Sequence, residues 1–454
     1  MHLDEELAAT AAYATPESFE KFSRHLDRAW IEEALLSTGT ATVRRRRLPA
    51  EQVIWLVIGM ALLRDLPIAD VVRQLDLALP NGHDATVAPS AIPPARARVG
   101  AAPLEWLFVR TAEEWAHRSA DSDRWRGLAL YGADGSTLRV ADSDDNRRHF
   151  GGQSAGEDGR GDSGYPLVRL VVLMALRSRL IAAASFGPYA IDERHYAVDL
   201  WSSLPDRSLL LLDRIYLQAN VMVPLHDEAR GRHWLMRAKK STATRLLRQL
   251  GKGDAIVEMT VSAEARRKDP SLPKTMEVRA IDYQRPGYEK QQLLTSLLDG
   301  KQYPAAEIVA LYHERWELEL GYDEIKTEML EREESIRSKR PEMVEQELWG
   351  ILVAYNLVRL EIERIAKEIE VAPSRISFVE ALRMIREQWQ WAAITGTPGA
   401  IPKRLQSMRD KIRRYLLPER RSKRSYPRAV KIKMSSCLPT QPSEAAYVTG
   451  IGVS

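Results

Sequence analysis

Residues 312–326, YHERWELELGYDEIK, constrain this chain more than any other stretch. On a helix turning about 100° per residue, Tyr312, Arg315, Glu319 and Lys326 fall within roughly 60° of one another. Leu311, Leu318, Tyr322, Ile325 and Met329 form an adjoining apolar stripe, the side expected to pack on a core. Glu317, Glu324 and Glu328 are expected on the opposite side, facing solvent. One carboxylate, Glu319, thus lies beside the buried face with a phenol and two cations around it. A metal site facing a phosphate backbone needs such a grouping: the carboxylate holds the cation and the bases hold the phosphates. The competing readings are an ordinary (i, i+4) ion pair for Glu319 and Asp323 as the ligand in its place.

A single carboxylate is not a site, and two partners are found upstream. The apolar run 128–133 leads into Asp134, and the run 208–212 leads into Asp213. Short apolar runs bounded by polar residues read as strands buried on both faces. Either aspartate alone would read as a turn or cap residue. Together with Glu319 they supply three acidic ligands for hard divalent ions, the requirement of two-metal phosphoryl transfer. His149, His195 and His313 lack zinc-ligand spacing. Asp142, Asp144 and Asp145 make half a calcium loop without the closing glutamate.

The pattern Tyr312-x2-Arg315-x3-Glu319-x6-Lys326 resembles the signature of bacterial cut-and-paste DDE transposases, in the large insertion-sequence family numbered four. Asp134-Gly135-Ser136-Thr137 resembles that family's first-aspartate motif. Asp213-Arg214-Ile215-Tyr216 resembles its second, with Ile215 where a glycine is usual. The likeness runs from about Arg46 to about Arg364. It implies an α/β protein: a ribonuclease-H-like catalytic core interrupted by a β-rich insertion, with a helical N-terminal domain and a helical C-terminal region. It implies Asp134, Asp213 and Glu319 as catalytic residues and ligands of two Mg²⁺ ions, or Mn²⁺ in their place. Tyr312, Arg315, Lys326 and Arg214 would contact DNA. The implied activity is cleavage at terminal inverted repeats and transfer of the 3′-OH ends into target DNA, often through a hairpin. A homodimer would hold the paired ends. In such proteins the insertion clamps a flipped base with a tryptophan; Gln291 stands at that place here, leaving Trp234 and Tyr288 as stacking candidates. The rival readings are a stand-alone metal-dependent nuclease and a non-catalytic, transposon-derived DNA-binding protein.

The 454 residues divide into a helical DNA-binding domain (1–122), a first core segment (123–230), the β-rich insertion (231–300), a second core segment (301–372) and a basic, dimerising C-terminal region with its tail (373–454). In the first, a helix opened by Pro49 carries Val53, Leu56, Val57, Met60 and Ala61, and a second is expected over 68–77. The pair reads as a helix-turn-helix or as a simple packing unit. Arg44, Arg45, Arg46 and Arg47 precede it, as phosphate contacts or as a solvated run. The prolines of 89–94 are expected to end any helix there. After the strand that ends at Asp134, a second strand over 137–140 and a mobile loop over 142–164 are expected. Strands over 167–176 and 180–186, a helix over 192–203 and the Asp213 strand follow. Alternation around 256–261 and 276–280 gives the insertion its strands, and Pro341 opens a long helix to about 369. Net charge is only +4, but 403–433 holds thirteen Lys and Arg against Asp410 and Glu419, a nucleic-acid-contacting pattern. The lone cysteine, Cys437, excludes an internal disulfide and fits a reducing compartment. The acidic N-terminus lacks the features of a signal peptide, and the longest apolar run, 53–63, is too short to span a bilayer. A bacterial cytoplasmic, nucleoid-associated protein with no membrane contact is expected.

Overall fold

The computed structural model describes residues 26–41, 48–75, 87–152, 164–239, 242–284, 289–331, 335–394 and 408–418. The arginine run 44–47, Tyr288 and all but 408–418 of the basic stretch lie outside the described residues. Ten strands form one sheet: β1 (Ala129–Val140), β2 (Leu167–Ala175), β3 (Leu180–Pro188), β4 (Ser208–Leu212), β5 (Arg232–Arg237), β6 (Thr244–Gly251), β7 (Asp254–Thr260), β8 (Thr275–Tyr283), β9 (Gln291–Thr295) and β10 (Ser335–Ile336). Their order is β3-β2-β1-β4-β5-β9-β8-β7-β6, with β10 beside β1. An antiparallel β1-β2-β3 meander flanked by β4 and β5, both parallel to β1, is a ribonuclease-H-like arrangement. The expected fold class therefore holds. Strand β5 pairs with β4 on one edge and antiparallel with β9 on the other, so the sheet passes unbroken into the β6–β9 meander.

Strand β1 is one strand of twelve residues, not two, and Asp134 lies inside it rather than at its end. Neighbours explain this. β2 runs beside β1 from Tyr131 to Arg139, so one edge is laddered almost throughout. On the other edge β4 pairs with Ala129 to Ala133, and β10 takes over at Arg139 and Val140. Between them β1 runs past the carboxyl end of β4. Such a place, where the strand order opens, is where α/β sheets present ligands.

The helices that matter to the site are α1 (Ala50–Leu62), α2 (Ile68–Gln74), α3 (Ile92–Val99), α4 (Ala102–Ala112), α5 (Glu193–Asp199), α6 (Ala305–Tyr312), α7 (Trp316–Asp323), α8 (Pro341–Glu368) and α9 (Phe378–Ile394). Every residue of α1 except Glu51 is buried, because α1 packs along α8 rather than standing on the surface. A helix apolar all round is a core element, which favours the packing-unit reading of α1 and α2. Charged clasps secure it. Arg64 pairs with the buried Glu347, and Arg337 donates to the Leu66 and Met60 carbonyls at 2.7 and 3.0 Å. Arg96 donates to Gln346 Oε1 at 2.9 Å and Ser338 Oγ at 3.1 Å. Pro93 and Pro94 occupy the first turn of α3, where a missing N–H costs nothing, so they begin a helix instead of ending one. The expected 142–164 loop is also partly helical: Ser143 caps Asp144–Phe150 by accepting from the Asn146 N–H, and 153–163 lie outside the described residues. Among the described residues, no helix is long and apolar enough to cross a membrane.

Candidate active site

Three elements bring the acids together. In the β1/β4 register Ala133 faces Leu212, so Asp134 and Asp213, the next residue on each, continue the pair. Asp213 leaves the sheet to cap the 3₁₀ turn Arg214–Tyr216, its Oδ1 accepting from the Arg214 N–H at 2.7 Å. Ile215, where the family pattern has glycine, is 41 % exposed in this right-handed turn and needs no positive φ. Helix α7 crosses β1 where a Cβ on Gly132 would lie 2.8 Å from Leu318 Cδ1, and one on Gly321 would lie 2.4 Å from Met174 Cε. The two glycines allow the close approach that sets Glu319 above the strand.

Arg315 is the hub. Its guanidinium lies 3.2 Å from Glu319 Oε1 and 3.6 Å from Asp134 Oδ2, and Asp213 also helps to hold it charged. Burial pushes the Asp134 carboxyl up to about 7, against the pull of Arg315 and the Gly135 N–H, which donates to Oδ1 at 3.0 Å. The carboxylates of Glu193 and Asp213 push in the same direction as burial. Two phenols brace the backbone: Tyr312, buried, donates to the Leu212 carbonyl at 3.3 Å, and Tyr322 to the Asp134 carbonyl at 2.6 Å. Burial pushes the Tyr312 hydroxyl up to about 12, so it remains a donor. Among the described residues, no three His, Cys, Asp or Glu side chains stand close enough to form a ready-made metal cage. Arg315 stands between two of the acids.

The structure revises the helix on which the sequence argument began. Residues 305–329 are not one regular α-helix: α6 passes through a 3₁₀ turn, His313–Arg315, into α7, which widens into a π-turn, Glu324–Met329. Each change shifts the angular phase. Glu317 and Glu324, expected to face solvent, are buried. Arg179 Nε donates to Glu317 Oε2 at 2.7 Å and a second arm reaches Glu324. Arg359 and the Tyr355 hydroxyl donate to Glu324 Oε2 at 2.9 and 3.0 Å. Lys326 lies half-buried on the π-turn, and Arg214 is exposed beside Asp213. Trp234, a stacking candidate, is wholly buried in β5, and Gln291 Oε1 accepts from the Tyr283 hydroxyl at 2.8 Å. Sequence reasoning missed Glu193, the first residue of α5, whose carboxyl lies over Gly135. No local sequence signal marks it, because its place over Gly135 is set by the packing of α5 on β1.

Comparison with known proteins defines the class first. Residues 131–357 match the family described as transposase DDE domain, and residues 16–109 match the insertion element 4 transposase N-terminal family. The chain is 35 % identical over 452 residues, 99 % of its length and 100 % of the relative's, to the transposase InsG for insertion sequence element IS4 of Escherichia coli (strain K12). It belongs to the IS4 family of transposases. A second relative, the putative transposase InsZ of the same organism, is 37 % identical over 233 residues, 51 % of this chain and 76 % of that one. A solved piggyBac transposase synaptic complex with hairpin DNA superposes at a TM-score of 0.43, with 12 % identity, covering 89 % of this chain and 86 % of that one.

Proposed function

We propose that this transposase cleaves DNA at the terminal inverted repeats of its element and joins the freed 3′-OH ends to target DNA. Asp134, Asp213 and Glu319 would hold two divalent cations, Mg²⁺ or Mn²⁺. The observation that carries the reading is that one guanidinium, Arg315, lies within 3.6 Å of two of these acids and within electrostatic reach of the third, although they come from β1, the end of β4 and α7. Three carboxylates make an all-oxygen donor set, which suits hard cations. Bound there, the cations would activate the attacking oxygen and stabilise the leaving one. The chain's own part is positioning. Tyr312 and Tyr322 hold the backbone carbonyls at the two aspartates, and the α7 crossing holds Glu319. Arg315, released from the carboxylates, and Lys326 would take phosphates, Arg315 in bidentate fashion and Lys326 as a point charge. Arg214 flanks the same mouth. The helical N-terminal domain, with Arg44 to Arg47, and the 403–433 stretch would add phosphate contacts. We further read the working form as a homodimer on paired ends, in the bacterial cytoplasm at the nucleoid.

The test is cleavage of a labelled terminal-repeat duplex in Mg²⁺, run beside a binding assay. Asp134→Asn, Asp213→Asn and Glu319→Gln should each abolish cleavage and leave duplex binding intact. Binding lost in step with cleavage would assign these residues to the fold instead. Arg315→Lys should impair cleavage although it keeps the charge, because a lysine cannot bridge as a guanidinium does.

A further inference from the structure

We propose that Glu193 is a fourth working carboxylate of this site, a positioning residue that ties the Asp134 and Asp213 segments together and tightens their hold on the divalent cations. The proposal rests on the reading just given. Glu193 opens α5, the helix between β3 and β4, with Asp192 capping it by accepting from the Arg194 N–H at 2.9 Å. Its carboxyl is laid directly on β1. A Cβ built on Gly135 would come within 2.6 Å of Glu193 Oε2, closer than real atoms approach. Glycine beside Asp134 is thus the residue that makes room for this acid.

The other aspartate is reached through Tyr216, which closes the turn that Asp213 caps. Its ring is fully buried, and it lies within the electrostatic reach of both Glu193 and Asp134. The Tyr216 hydroxyl is directed at the Glu193 carboxyl and favours its charged form, without closing into a short, well-aligned hydrogen bond. So placed, the phenol joins the turn that Asp213 caps to the start of α5, which in turn lies on the strand carrying Asp134. Arg169 and, at longer range, Arg194 act on the Glu193 carboxyl, and the ion pair with Arg169 is loose. Arg169 Nη1 is 3.6 Å from Oε2, and this arginine is itself committed to the Tyr189 carbonyl at 3.0 Å and to the Tyr189 ring at 4.8 Å. A closed structural pair in the same protein looks different: Arg279 grips Asp254 through two contacts of 2.7 Å. Glu193 therefore retains acceptor capacity directed at the space that Tyr216 and Asp134 share. A carboxyl and a hydroxyl so placed would orient the water shell of a cation held by Asp134, and partners of that kind change metal affinity by about 10- to 100-fold.

The experiment is calorimetric titration of the full chain with Mn²⁺, together with the Mg²⁺ concentration for half-maximal cleavage and the melting midpoint. Glu193→Gln, nearly isosteric, should weaken Mn²⁺ binding about 10-fold and raise the Mg²⁺ requirement equally. Tyr216→Phe, which removes only the hydroxyl, should shift both in the same direction by about 2- to 10-fold. Glu193→Asp should recover part of the loss. A purely structural role would lower the melting midpoint and leave both cation readouts in place, which overturns the inference. Asp134→Asn separates the two levels. If it abolishes Mn²⁺ binding while Glu193→Gln and Tyr216→Phe do not change it, the positioning role is wrong and the site stands. If none of the three alters Mn²⁺ binding, the cation site and the inference fail together.

Discussion

Helix α7 and the π-turn after it carry glutamates on two sides, and the two sides are built differently. On one side Glu324 is locked between Arg179 and Arg359 with a tyrosine hydroxyl as third donor, and Glu317 shares Arg179. The Arg359 side chain is 1 % exposed. On the other side Glu319 is 30 % exposed and meets Arg315 one turn away, and Arg315 leans towards Asp134 as well. Both are arginine–carboxylate groups on one short stretch. The first is closed: two guanidiniums and a phenol hold the carboxylates, the charges are out of water, and losing a member would strand the others. The second is open: its arginine is divided between two acids, and water reaches the pair. A closed cluster fixes where a helix lies, whereas an open one leaves carboxylates free to exchange an internal cation for an external one. The burial of Glu317 and Glu324 thus serves Glu319 by holding the helix that presents it.

Substitution distinguishes the two sides, and the largest effect should come from the closed one. Glu324→Ala leaves Arg359 buried and unpaired, and should cost about 3–5 kcal/mol, measured by urea unfolding of the full chain. A loss below about 1 kcal/mol would mean that the cluster does not hold α7 in place. Next comes the clasp of the β6–β9 meander. Arg279, fully buried, binds Asp254 and donates to the Tyr303 carbonyl at 2.7 Å, just ahead of α6. Asp254→Asn should cost about 1.5–3 kcal/mol, the worth of hydrogen bonds to a charged group. Limited proteolysis should then cut within 244–295 faster than elsewhere.

Much of this architecture was legible in the sequence, and the failures share a cause. Strands β2, β3 and β4 announce themselves as apolar runs, and Asp134 and Asp213 lie adjacent because each follows one of the paired, buried parallel segments 129–133 and 208–212. The long helix α8 begins at its proline as expected. Local periodicity, however, sees only one helix at a time. It assumed an unchanging twist over 312–326, whereas a 3₁₀ turn and a π-turn interrupt it. It sent Glu317 and Glu324 to solvent because their partners, Arg179 and Arg359, lie in a hairpin turn and in a later helix. It split β1 because the apolar run stops at Asp134, although β2 carries the ladder onward. Glu193 could not be found without knowing that α5 packs over Gly135. Each miss is a tertiary contact overriding a local pattern.

A graded, smaller effect should follow acidification. Burial pushes the Glu347 carboxyl up, but Arg64 and Arg96 outweigh it and hold the group below its ordinary value. The unfolded chain therefore binds this proton more readily than the folded one. The stability that Glu347 contributes is fully present above the ordinary glutamate range, about 4.3, and is lost as pH falls towards the folded value. The urea midpoint should drop on going from pH 6 to pH 3, and Glu347→Gln should flatten that slope. An unchanged slope would mean that the α1–α8 clasp is not electrostatic.

The smallest effect on stability should belong to the residue with the largest effect on chemistry. Glu319→Gln keeps the size of the side chain and an oxygen that can still accept from Arg315. What it removes is an (i, i+4) ion pair at 3.2 Å with solvent beside it, and pairs of that kind contribute about 0.3–0.5 kcal/mol. The unfolding midpoint should therefore move by less than the equivalent of about 1 kcal/mol while cleavage disappears. Glu324→Ala in parallel should show large destabilisation, with cleavage lost only in proportion to the unfolded fraction. Should Glu319→Gln destabilise as strongly as Glu324→Ala, the open and closed sides would be one structural network, and Glu319 would have to be removed from the cation site. Should both variants be stable and only Glu319→Gln inactive, the difference between the two sides of α7 would be chemical, with Glu324 tolerant of loss and Glu319 not.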